Sequence, residues 1–133
     1  MTPDADQFLR DHDLGTLATG RRDGSPQLAL VYYHYNGRDI VISTRQDRPQ
    51  WHNSGRQPRV AFLVQEGRTY VLVYGTAERL AVDPARLAAT KRIAFFRNRH
   101  PHDIDDDPAL IAQLDADKRG VIRITPDKVI RHD

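Results

Sequence analysis

The sequence predicts a mainly β fold, a six-stranded antiparallel barrel with three or four short helices outside it. Three observations carry this expectation. Short apolar runs alternate in the period of two that marks a strand with two unlike faces. Hairpin turn signals separate them, at Asp23-Gly24, Asn36-Gly37 and Glu66-Gly67. Gly75 interrupts the longest run, where a curved sheet needs a bulge or bend.

Each element follows in order. Phe8 and Leu9, after Asp4 and Asp6 as caps, predict a short N-terminal helix over 5–11. "GTLAT" is the first strand, and "GRRDGSP" turns it into "QLALVYYHY". On alternation, Leu28, Leu30, Tyr32 and His34 share one face of that strand, and Ala29, Val31, Tyr33 and Tyr35 the other. "DIVIST" pairs back across Asn36-Gly37. "VAFLVQ" and "TYVLVYGTAERLAV" form the next hairpin. Asp83-Pro84 opens a helix to about Phe96, with aspartate as cap and proline in the first helical position. Asp107-Pro108 repeats the signal before a stripe of Leu110, Ile111 and Leu114. "RGVIRITPDKVIRHD" is the closing strand, broken or bent at Pro126. No repeat, low-complexity tract or linker divides the 133 residues, so one domain is expected.

Composition narrows the function. There are no cysteines, which excludes disulfides, thiolate catalysis and cysteine-held metal sites. Net charge is +2, too balanced for a general nucleic-acid binder. The polar, acidic start is unlike a signal peptide, and no run reaches membrane-spanning length, so a cytoplasmic protein is expected. Hydrophobic residues make up 39% of the chain. A core that thin is of the kind a partner subunit completes.

Charge is concentrated in "TRQDRPQWHNSGRQPRV", residues 44–60, which holds Arg45, Arg48, Arg56, Arg59 and the only tryptophan, Trp51. Asp47 is placed to cap a short helix that includes Pro49 and ends near Gly55. Its amide N-terminus, Arg45 and Arg48, with Ser43 and Thr44 at the preceding strand end, would suit a phosphate, because an arginine fork bonds two oxygens at once. The plainer reading is a basic, solvated connection. Trp51 has three readings: stacking on a planar ligand, lying at a subunit interface, or packing on the barrel. His34 reads as a hydrogen-bonded structural residue rather than a base. His100, His102, Asp103 and Asp105 match no metal-ligand spacing and read as a solvated loop. No nucleophile motif or glycine-rich phosphate loop is present, so no catalytic residue is assigned. Binding groups without an evident base or nucleophile suit an enzyme whose chemistry belongs to a bound cofactor.

Residues 15–64, "GTLATGRRDGSPQLALVYYHYNGRDIVISTRQDRPQWHNSGRQPRVAFLV", resemble the pyridoxamine 5'-phosphate oxidase-like, FMN-binding split β-barrel proteins. They are most similar to the flavin/deazaflavin oxidoreductase group, which includes enzymes dependent on coenzyme F420. "YVLVYGTAE" and "RGVIRITPDKV" extend the resemblance over nearly the whole chain. It implies a homodimer with cofactor grooves at the interface and a small-molecule substrate, without nucleic acid or membrane. It implies that Ser43, Thr44 and Arg48 meet the cofactor phosphate. Gln27 and the backbone of Leu30, Val31 and Tyr32 would lie near the flavin ring, and Tyr70 would approach from the other subunit. The family usually has lysine two residues after the arginine matching Arg48, where this chain has Gln50. It commonly has proline and tryptophan where this chain has Leu30 and Tyr32. The expected activity is F420-dependent hydride transfer to a planar conjugated acceptor. The alternatives are FMN-dependent oxidoreduction and flavin or tetrapyrrole binding without turnover.

Overall fold

The computed structural model describes residues 1–96 and 105–133. Helix α1 (Pro3–Asp11) starts at Thr2, whose hydroxyl accepts the Ala5 amide at 3.2 Å. Thr2 thus takes the cap expected of Asp4 or Asp6. Both aspartates lie in the first turn instead, where the helix dipole favours them. Three strands follow: β1 (Leu14–Gly20), β2 (Pro26–Tyr32) and β3 (His34–Tyr35). Then come β4 (Ile40–Arg45), α2 (Pro49–Arg56), β5 (Arg59–Glu66) and β6 (Thr69–Leu80). Helices α3 (Ala85–Phe96) and α4 (Asp107–Ala116) precede β7 (Arg119–His132).

The described residues form seven strands where six were expected. The extra one arises inside "QLALVYYHY". Tyr32 pairs with Leu14 of β1, but His34 pairs with Val41 of β4. Between them the Tyr33 amide bonds the Asp13 carbonyl at 2.9 Å, and its phenol donates to the Leu9 carbonyl at 2.7 Å. The chain therefore leaves one edge of the sheet and joins the opposite edge within a single residue. The facial alternation survives the break: Val31, Tyr33 and Tyr35 are buried, while Leu28, Leu30 and Tyr32 are exposed.

That crossing dictates the architecture. The antiparallel order is β2-β1-β5-β6-β7-β4-β3, so β2 and β3 occupy opposite edges. Only Tyr33 separates them in sequence, so the sheet must curl until its edges approach. Inside the curl, Leu17, Ile42, Phe62, Val73 and Ile122 are fully buried with Tyr33. Outside it, α3 packs Ala89 and Ile93 on Val41, Leu80 and Val121.

The sharpest bend is at Gly75. There the β6–β7 register shifts, Gly75 pairing with Pro126 and Tyr74 with Lys128, so Asp127 is the extra residue. A Cβ on Gly75 would come within 2.6 Å of the Thr125 carbonyl oxygen. Strand β7 is therefore bulged rather than broken at Pro126, which needs no ladder donor there.

Helix starts differ from expectation by a residue or two. The cap of α2 is Arg48 without a side-chain bond, because Asp47 instead ion-pairs with Arg45 at 3.0 Å. Helix α3 begins at Ala85, since Asp83 is held by Arg86 at 2.8 Å. The cap of α4 is Asp106, which accepts the Ala109 amide, with Asp107 already in the first turn. Among the described residues no helix is long and apolar enough to cross a membrane.

Candidate functional site

The curled sheet leaves a gap. Strand β3 covers β4 only at Ile40 and Val41, so among the described residues Ile42–Arg45 have no strand partner on that side. The outer edge of β2 is likewise unpaired. Unpaired edges present backbone donors and acceptors to whatever enters between them. A cavity of about 760 Å³ lies here, lined by Leu30, Val31 and Tyr32 on one side and Ser43, Thr44 and Arg45 on the other. The first turn of α2 adds Arg48 and Gln50. Ile93 and Ala94 of α3, with Leu110 and Leu114 of α4, form an apolar wall. The start of β7 contributes Arg119, just after Asp117. The volume lies within the range of small-molecule and cofactor sites.

Polar groups concentrate at the end where β4 runs into α2. Gln50 Nε2 donates to the Thr44 hydroxyl at 3.0 Å. Arg45 is bound to Asp47 through two nitrogens, at 3.2 and 3.0 Å. The same contact holds the Asp47 carboxyl below its ordinary range. Arg48 is exposed, and its guanidinium makes no hydrogen bond or ion pair with the described residues. An unpaired guanidinium beside unpaired strand edges is suited to an anion.

Eight of the residues singled out in the sequence for a binding site thus surround one cavity: Leu30, Val31, Tyr32, Ser43, Thr44, Arg45, Arg48 and Gln50. Two do not line it. Gln27 lies on β2 with its amide oxygen taking a bond from Arg21 at 3.0 Å. Tyr70 stacks on His132, ring centres 5.2 Å apart. Trp51 packs on the barrel, 5% exposed, with its ring edge against Gly120 and the Arg79 guanidinium 5.3 Å from its centre. His34 accepts from Arg92 Nε at 3.2 Å, and burial, then the Arg92 charge, hold its pKa below the usual histidine value. No metal-binding cluster occurs among the described residues; His100, His102 and Asp103 lie outside them.

Sequence reasoning missed Arg119 and the apolar wall. The wall's Leu110 and Leu114 were legible as part of a helix stripe, but not what they covered, and Ile93 was not singled out. Arg119 gave no local signal, because its place depends on β7 pairing with β4, some 75 residues away in the chain.

A model of the pyridoxamine 5'-phosphate oxidase family matches residues 1–133. The conserved hypothetical protein Rv2991 from Mycobacterium tuberculosis superposes with a TM-score of 0.83 at 25% identity, over 100% of this chain and 85% of that one. An F420 reductase superposes at 0.74 and 22% identity, over 98% of both chains. HutZ, a heme storage protein from Vibrio cholerae, does so at 0.71 and 17%, over 96% of this chain and 92% of its own. The last two likenesses show the shared fold alone. With the family model spanning every residue, this chain belongs to the pyridoxamine 5'-phosphate oxidase family.

Proposed function

We propose that this protein is a cytoplasmic oxidoreductase that binds coenzyme F420 in the cavity at the sheet's open edges and reduces a planar conjugated small molecule. The carrying observation is the cavity itself, with an unpaired Arg48 and the Ser43 hydroxyl at one end and an apolar helical wall along its length. The residues present fit such a group. Arg48 and Ser43 would hold the phosphate, with Thr44 oriented by Gln50. The β2 edge at Leu30–Tyr32 would meet the ring through backbone groups, and Ile93, Leu110 and Leu114 would exclude water from it. When bound, the deazaflavin supplies the hydride. The F420 reductase neighbour supports the reading; FMN, with the same phosphate end, is the alternative. Tetrapyrrole binding has weaker support, since among the described residues Tyr32 is the single lining side chain of a type that ligates haem iron.

Anaerobic fluorescence titration with F420 and, separately, FMN checks the proposal. Saturable micromolar binding of F420, followed by reduction of a quinone or dye, is the expected result. Binding of FMN alone would move the assignment to FMN, and binding of neither would end it. Arg48→Ala should raise the dissociation constant about tenfold or more, the scale of one charge-assisted hydrogen bond. An unchanged constant would show Arg48 to be merely solvated.

The proposal includes a homodimer. A row that is apolar except at Thr16 crosses the outer face of five strands in register, from Leu30 through Thr16, Leu63 and Leu72 to Ile130. Leu30 is 70% exposed and Leu28 63%, with Tyr74 and Tyr32 also open. Such a face marks an interaction surface. It runs into the cavity at Leu30 and Tyr32, so a second copy seated on it would border the cofactor groove. Light scattering should give the mass of a dimer for the wild type. Leu30→Asp should weaken dimerisation about tenfold or more, by placing a charge in apolar contact; an unaltered dimer would locate the interface elsewhere.

A further inference from the structure

The family resemblance implies a lysine where this chain has Gln50, so an F420 or FMN phosphate would meet one cation fewer. Gln50 does not replace it as a charge; its amide is spent on the Thr44 hydroxyl at 3.0 Å. A different cation stands at the same cavity. Arg119 opens β7 and sits directly opposite Arg45 in the β4–β7 ladder. Residues so opposed project from the same face of a sheet, and like charges there repel. Arg45 is neutralised by Asp47. The Arg119 guanidinium has no hydrogen bond or ion pair among the described residues. The nearby Asp117 carboxylate, which also lines the cavity, takes its bond from Gln113 instead.

Meanwhile the backbone of Arg119 is fixed. Its carbonyl accepts from Gln46 Nε2 at 3.0 Å and from Arg86 Nη1 at 3.3 Å. An arginine with an anchored backbone, an uncompensated charge and a place at the cavity is arranged to receive an anion. We propose that Arg119 is the second phosphate-binding cation of this site, taking the part of the absent lysine together with Arg48. The inference rests on the reading of the cavity as a flavin or deazaflavin phosphate site.

The test is equilibrium binding by fluorescence or calorimetry, with no turnover required. FMN is compared with riboflavin, and F420 with its phosphate-free deazariboflavin core. Arg119→Gln should weaken binding of the phosphorylated ligand about tenfold or more, the scale of one lost charge-assisted bond. It should leave the phosphate-free ligand within about twofold. Adding Gln50→Lys to Arg119→Gln should recover most of the loss, because the charge returns to the same anion. Equal weakening of both ligand types would mean a structural role and overturn the proposal, as would unchanged affinity for the phosphorylated ligand. Wild type that binds neither phosphorylated ligand would remove the cofactor reading itself, and the assignment of Arg119 with it.

Discussion

Trp51→Ala should lower unfolding stability by about 3–5 kcal/mol, the range for truncating a buried aromatic in a packed site. Three observations set this scale. The indole is 5% exposed, although its helix has only eight residues. Its ring tip fills the space over Gly120, where a Cβ would lie 2.5 Å from it. Arg79 covers the other side, 5.3 Å from the ring centre, which adds a cation–π term. So short a helix has little stability of its own, and the contact with the barrel sustains it. Helix α2 also carries Gln50, and Arg48 is its cap. The substitution should therefore loosen the polar end of the cavity, and ligand affinity should fall more than in a variant of equal instability elsewhere in the core. Urea denaturation gives the first number, and titration under strongly native conditions gives the second. A loss under 1 kcal/mol would show that the ring is dispensable to the packing.

The role of Trp51 illustrates which features could be read in the sequence. Hairpins were legible because their signals are local: Gly24, Gly37 and Gly67 all adopt positive φ at the turns where their dipeptides sit. The bulge at Gly75 was legible for the same reason. Trp51 was not settled by its neighbours, because its partner Gly120 lies on β7. The helix caps went astray where a side chain had two suitors. Asp47 is a good cap by type, yet Arg45 two residues earlier takes its carboxylate.

The site divides along the same line. Ser43, Thr44, Arg48 and Gln50 fall within eight residues, so a turn and one helix suffice to bring them together. Their juxtaposition with Leu30–Tyr32 needs the whole sheet to curl and bring its edges opposite each other. Here the resemblance to a known family supplied what periodicity did not. The split of the aromatic strand at Tyr33 escaped the alternation pattern because both halves keep the same parity across it. Strand parity reports burial; it carries no information about which neighbour the backbone pairs with.

Asp83→Asn should lower stability by about 2–3 kcal/mol near neutral pH, the worth of hydrogen bonds between charged groups whose buried member loses its counterion. Arg86 is the buried member, 4% exposed. It meets Asp83 at 2.8 and 3.1 Å and Asp115 at 2.8 Å, but the Asp115 side chain is 65% exposed and compensates less. Hydrogen bonding to Arg86 holds the Asp83 carboxyl below its unfolded value of 3.8. Its contribution is therefore complete above that value and is lost as pH falls through the lower, folded one. A protonated aspartate resembles asparagine, so wild type and variant should converge in stability below the folded value and separate as pH rises through it, with the gap complete above about 4. Urea midpoints measured from about pH 2 to pH 7 give the curve; a gap that stays fully open below pH 4 would assign the loss to geometry rather than charge. The effect reaches the cavity as well. Arg86 also donates to the Arg119 carbonyl, so freeing it from Asp83 should loosen the strand start that carries Arg119, and phosphate-dependent binding should weaken in Asp83→Asn while the fold persists.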